Sequence, residues 1–161
     1  MDHWNREVHF AELRVELPRR VQTLPIIRRL IRQLLHETGA TAATVDDVLL
    51  ATSELCTNAI VHAGPGAVYG VAMRLDRLGC EIEVSDDGGG FDPERVAPPT
   101  LSLPGGRGLA IVRALMDQVT VDSTMGAGTK VRARKNLGSS KFDHAAATLD
   151  GMTHDSAAIS D

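Results

Sequence analysis

The sequence predicts one α/β domain of the α+β kind, with strands and helices in mixed order and not in repeating βαβ units. Three patterns predict it. Short runs near the amino end, around position 75 and around position 130 alternate apolar with polar residues. Two long stretches between positions 20 and 62 repeat their apolar residues at helical spacing. Two of the strand-like runs are separated only by Asp76-Arg77-Leu78-Gly79, which makes them a hairpin and therefore antiparallel neighbours.

In chain order, His9 to Leu17 sets Leu13, Val15 and Leu17 on one side and Glu12, Arg14 and Glu16 on the other, the pattern of a half-buried strand. Arg20 to Glu37 reads as a helix with the stripe Leu24, Ile27, Leu30, Ile31, Leu34 and Leu35. Pro25 suits its first turn and Gly39 its stop. Thr44 to His62 reads as a second helix with the core stripe Val45, Val48, Leu49, Thr52, Leu55 and Ala59. It breaks at Gly64-Pro65-Gly66, and its other faces are left for chemistry. Ala67 to Leu75 and Cys80 to Val84 form the hairpin. Phe91 to Pro104 contains Pro93, Pro98, Pro99 and Pro104 without periodicity and reads as an extended, mobile loop. Gly108 to Gln118 resumes the helical period with Leu109, Ile111, Val112, Leu115 and Met116. Val119 to Asp122 and Thr129 to Ala133 close the chain as short strands around Gly126-Ala127-Gly128. The domain so defined is 9–135, with 1–8 as an amino-terminal extension. The Gly-, Ser-, Ala-, Asp- and Thr-rich 136–161 is expected to be a disordered tail.

Composition narrows the function. A net charge of −4 disfavours a phosphate-backbone binder, so no direct nucleic-acid partner is expected. No apolar run approaches the roughly 20 residues that span a bilayer, and the residues after Met1 lack a signal-peptide pattern. The expectation is a cytoplasmic protein without a membrane partner. Cys56 and Cys80 have no CxxC spacing and read as reduced thiols.

Three short motifs carry candidate chemistry. Glu54 and Asn58 in Glu-Leu-Cys-Thr-Asn are one helical turn apart, with Ser53 and Thr57 beside them. The pair is either an exposed polar face, or a base at Glu54 next to a Mg²⁺ ligand at Asn58. Asp86-Asp-Gly-Gly-Gly90 is either a turn after a strand, or a place where Gly88 and Gly90 let a ligand approach the backbone while a carboxylate accepts from an exocyclic amine. Gly105-Gly-Arg-Gly108 opens a helix. It is either a linker with a surface arginine, or an anion site of free amides, helix dipole and guanidinium. The P-loop, the dinucleotide fingerprint and the eukaryotic protein-kinase signatures are all missing.

Taken in order, Glu54-x-x-x-Asn58, Asp86-x-Gly88-x-Gly90, Gly106-x-Gly108-Leu109 and Gly128-Thr129 resemble the N, G1, G2 and G3 boxes of the Bergerat-fold (GHKL) ATPases. The wording Glu-Leu-Cys-Thr-Asn-Ala-Ile-Val-His-Ala, Asp-Asp-Gly-Gly-Gly-Phe-Asp-Pro and Gly-Gly-Arg-Gly-Leu-Ala-Ile-Val-Arg-Ala-Leu-Met-Asp is similar to that of the bacterial anti-sigma-factor serine/threonine kinases, over roughly His9 to Lys135. The resemblance implies a mixed, mostly antiparallel sheet with helices packed on one face. It implies Asp86, Gly88, Gly90 and Thr129 at the adenine and Asn58 on Mg²⁺. It further implies Glu54 as general base, with Arg107 and the amides around Gly106, Gly108 and Leu109 at the phosphates. The 91–104 loop would be the lid. Two details depart from the commoner pattern: Gly89 replaces a frequent proline, and Cys56 a frequent small residue.

The function this implies is an ATP- and Mg²⁺-dependent serine/threonine kinase. It would sequester a sigma factor, phosphorylate a STAS-type anti-anti-sigma protein, and form a homodimer. Two other readings stay open: a nucleotide-dependent binding switch without transfer, and the ATPase part of a sensor histidine kinase, for which the histidine-bearing two-helix region is missing. His36 only faintly echoes a phosphoacceptor box. His62 lies one turn after Asn58 and either lines the site or sits at the surface. His144 and His154 lack metal-ligand spacing.

Overall fold

A computed structural model of the chain describes residues 11–62, 68–90 and 106–138. The expected extension 1–8, the break at 64–66, the loop 91–104 with its lid role, and the tail beyond 138 lie outside the described residues. The elements are β1 (Ala11–Pro18), a 3-10 turn (Val21–Thr23), α1 (Leu24–Thr38), α2 (Ala42–His62), β2 (Val68–Leu75), β3 (Gly79–Asp86), α3 (Gly106–Leu115), β4 (Gln118–Ser123) and β5 (Thr129–Asn136). The strands form one sheet in the order β1-β2-β3-β5-β4. Every pairing among the described strands is antiparallel, as the mostly antiparallel sheet expected from the sequence requires.

Alternation along the strands divides the sheet. Tyr69, Val71, Met73 and Leu75 of β2, Cys80, Ile82 and Val84 of β3, and Val131 and Ala133 of β5 are buried under the helices. Ile27, Ile31 and Leu35 of α1 and Val48, Leu49, Thr52, Leu55, Cys56 and Ala59 of α2 complete that core. Each fully buried Ile or Leu contributes about 1.5–3 kcal/mol. Leu30 departs from the expected stripe. It lies one residue, or 100°, round from Ile31 and is 39% exposed. The opposite face of the sheet is a lattice of charge, because the register lines up Glu12, Arg74, Glu81 and Arg134 in one row and Arg14, Ala72, Glu83 and Arg132 in the next. Arg74 reaches Glu81 at 3.0 Å and Glu12 at 3.4 Å, and Arg132 reaches Glu83 at 2.8 Å.

Element ends follow local chemistry. Pro25 stands in the first turn of α1, and Gly39 closes the helix at φ 79°, its amide on His36 O. α2 starts two residues before Thr44 because Thr41 caps it, its Oγ1 accepting the Thr44 amide at 3.2 Å. At the other end of α2, Arg19 Nη2 donates to Ile60 O at 2.7 Å. α3 stops at Leu115 and not at Gln118, since the Asp117 amide already donates to Arg134 O of β5 at 2.9 Å. β5 runs past Ala133 to Asn136, and Leu137 is buried, so ordered structure continues beyond the expected limit at Lys135. A lysine on the core side at that position hides the alternation.

Candidate active site

α2 turns its apolar stripe to the sheet, which leaves Glu54 and Asn58 half-buried on the side facing α3. α3 meets them with its first turn. Gly108 is buried there, and a Cβ added to it would stand 3.0 Å from Glu54 Oε2, 3.1 Å from Asn58 Nδ2 and 3.2 Å from Asn58 Oδ1. A side chain at this position would push Glu54 and Asn58 aside by a few tenths of an ångström, so glycine suits this close approach of the two helices. The amides of Gly106, Arg107, Gly108 and Leu109 open α3, so they have no partners within the helix, and the positive end of the helix dipole lies with them. Arg107 is exposed beside them, and Leu109 packs against the core. A carboxylate and a carboxamide thus meet the opening turn of α3, which carries a row of amides and Arg107.

The second cluster stands where β3 ends. Asp86 Oδ1 accepts the amide of Gly88 at 2.9 Å, and Asp86 pairs in register with Thr129 of β5. Gly90 has φ 60°, and a Cβ on it would lie 2.0 Å from Thr124 O. Gly128 has φ 85°, and a Cβ there would lie 2.1 Å from Asp86 O. The Gly126 amide donates to Gly89 O at 2.7 Å. The loop after β3 is therefore laid main chain to main chain on the β4–β5 turn, and α2 packs on β3, the strand that ends at Asp86. Thr129 Oγ1 shares a 2.9 Å hydrogen bond with Ser123 Oγ. Ser123 belongs to none of the sequence motifs, and only the β4–β5 hairpin register, which sets it opposite Thr129, points to it.

The residues around these clusters are also placed. Arg28 of α1 donates to Ser53 Oγ at 2.6 Å, next to Glu54. No local pattern announces a contact between two helices. His62 and His36 are exposed. Cys56 and Cys80 are buried and free. Burial pushes the Cys56 thiol up to about 12, against the lowering effect of the Tyr69 hydroxyl, so it is a neutral core thiol despite its nearness to Glu54.

Residues 17–135 match the family model of the histidine kinase-like ATPase domain. The chain is 33% identical over 157 residues to the serine-protein kinase RsbW of Bacillus pumilus, covering 87% of this chain and 93% of that one. It is 31% identical over 147 residues to RsbW of Bacillus subtilis, covering 82% and 89%. It is 32% identical over 109 residues to the anti-sigma F factor of Clostridium acetobutylicum, covering 63% and 76%. A crystal structure of the RsbU and RsbW domains of a Mycobacterium tuberculosis protein has the same fold, with a TM-score of 0.59 at 22% identity over 79% of this chain and 32% of that one. No helix among the described residues is long and apolar enough to cross a membrane. The chain belongs to the histidine kinase-like ATPase family and is one of its nucleotide-binding serine-protein kinases.

Proposed function

We propose that the chain transfers the γ-phosphoryl group of ATP, with Mg²⁺, to a serine or threonine of a STAS-type anti-anti-sigma protein, and that it captures a sigma factor when that protein is not bound. The observation that carries this reading is the junction at which Glu54 and Asn58 abut the first turn of α3 at Gly108. The residues fit the nucleotide and the ion. Asn58 Oδ1 is a hard oxygen donor of the kind Mg²⁺ takes, and it would hold the ion together with the phosphates and water. The chemistry Mg²⁺ supplies there is charge neutralisation across the phosphates.

In this reading, the second carboxylate oxygen of Asp86 accepts from the adenine amino group, while Gly88 holds the first. Gly90 brings the backbone close, and Thr129 adds its hydroxyl. The amides of Gly106, Arg107, Gly108 and Leu109, with the Arg107 guanidinium, hold the phosphate oxygens. Glu54 takes the proton of the substrate hydroxyl as its oxygen bonds to the γ-phosphorus, and the bond to the β,γ-bridging oxygen breaks, releasing ADP. The protein acts in the cytoplasm as a homodimer.

Incubation with labelled ATP, Mg²⁺ and a STAS partner tests it. Glu54→Ala should lower transfer by about 10²-fold or more while ATP still binds. Transfer that survives the substitution removes Glu54 as base. Wild-type protein that binds ATP and partners but labels none of them would instead be a nucleotide-dependent switch.

A further inference from the structure

Lys135 lies on β5 at the far end of the α2–α3 pair, away from the Glu54–Asn58–Gly108 junction. Its ammonium, with the side chain only 17% exposed, makes two contacts. It donates to Asp47 Oδ2 of α2 at 3.0 Å and to Leu115 O, the last residue of α3, at 2.5 Å. The Leu115 carbonyl is one of the acceptors that a helix end leaves without an intrahelical partner, and a cation there is favoured by the dipole. One ammonium therefore ties α2, α3 and β5 together.

α3 needs such a tie. It has ten residues, and of those described Val112 and Gly108 are buried and Leu109 and Leu115 pack part-buried against the core, with Met116 buried just beyond its end. In a helix of under three turns, how either end is held bears directly on where the other end stands. Its amino end must be placed closely, since Gly108 stands so near Glu54 and Asn58 that a Cβ would crowd both side chains at 3.0–3.2 Å. Beyond Leu115, the Asp117 amide bonds Arg134 O, and Asp117 Oδ2 accepts the Asn136 amide at 2.6 Å. The turn after α3 is thus docked on β5, and Lys135 sits between its two anchor points.

We infer that Lys135 is a positioning residue for the phosphate-binding end of α3: by pinning the carboxyl end of the helix to Asp47 and β5, it sets where the amides of Gly106 to Leu109 and Gly108 itself stand against Glu54 and Asn58. The inference rests on the reading of that helix end as the phosphate site. Lys135 touches neither ATP nor the reacting atoms. Its effect is on the placement of groups that do.

The test is ATP affinity by titration calorimetry, on variants shown to be folded and held well below their unfolding temperature, alongside kcat at saturating ATP. Lys135→Met should weaken ATP binding about 10-fold, because misplacement by a fraction of an ångström spoils several hydrogen bonds together. kcat should change less than about twofold. Lys135→Arg, which can still donate to both partners, should stay within about twofold of wild type on both measures. Asp47→Asn, which weakens one of the two ties, should raise Kd by about threefold and serves if Lys135→Met does not fold. A folded Lys135→Met with wild-type ATP affinity overturns the inference, as does an unchanged Kd in Asp47→Asn where it must decide alone. A loss that Lys135→Arg fails to rescue also overturns it. Arg107→Ala separates the underlying reading. If it weakens ATP binding and Lys135→Met does not, only the role of Lys135 falls. If neither matters, the phosphate site itself is misplaced and both fall.

Discussion

Two aspartates flank β3 and start from the same local geometry, yet the fold uses them differently. Asp76, before the strand, accepts the Leu78 and Gly79 amides on Oδ1 at 2.8 and 2.9 Å, and Arg134 Nη2 then reaches both of its oxygens at 2.9 and 2.8 Å. It is 7% exposed. Asp86, at the strand's other end, accepts the Gly88 amide on Oδ1 at 2.9 Å and is half-buried. A carboxylate has about four acceptor positions. At Asp76 the protein fills them, whereas at Asp86 the described residues use one, to shape a loop whose backbone at Gly90 suits glycine. Saturation marks the structural acid, and its lack marks the candidate ligand-binding one.

The largest expected effect is on the saturated side. Asp76→Ala should cost about 2–4 kcal/mol in urea unfolding, because Arg134 and two turn amides lose their partner together. ATP affinity of the folded variant should be unchanged, and a selective loss of affinity would break the contrast. The same group predicts a pH dependence. Burial alone would raise the Asp76 pKa, but Arg134 and the Leu78 and Gly79 amides outweigh it and hold the carboxyl below its ordinary value. Its contribution is therefore complete above the unfolded value of about 3.9, and it drains away as pH falls through the lower folded value. Asp76→Asn should flatten that part of an acid-unfolding profile; an unaltered slope would show that Asp76 does not set it.

On the other side the signs reverse. Asp86→Asn should weaken ATP about 30-fold while changing stability by less than about 1 kcal/mol, since an amide can turn a donor toward the adenine amine. Equal affinity in a titration would remove Asp86 from the adenine site. The smallest effects come from two adjacent glycines. Gly90→Ala combines φ 60° with a collision at Thr124 O and should destabilise the protein by about 1–2 kcal/mol. Gly89→Ala meets nothing within 4 Å and should be neutral, or stabilising by up to about 1 kcal/mol. Thermal unfolding of the pair checks both, and a Gly89→Ala loss as large as that of Gly90→Ala would refute the distinction.

Much of this organisation was legible in the sequence. The stripe Val48, Leu49, Thr52, Leu55 and Ala59 faces the core as its spacing requires, and Gly39, Pro25 and the 76–79 turn stand where their backbone preferences put them. The exposure of Leu30 is not legible in this way, because period alone does not say how wide a helix's buried stripe will be. Nor is the end of β5, because Lys135 and Asn136 look like the start of a polar tail until Asp47, Leu115 and Asp117 are brought to them.

The sequence by itself determined the kind and order of the elements, the turns, and the four motif boxes that imply a nucleotide site, because each depends on residues within a few positions of one another. The tertiary structure alone decided that Gly108 would press on Glu54 and Asn58, that Thr129 would stand opposite Asp86, and that one lysine would join three elements. Those contacts join residues far apart in the chain. They exist only after the shared core has set the distance and angle between the helices and the sheet.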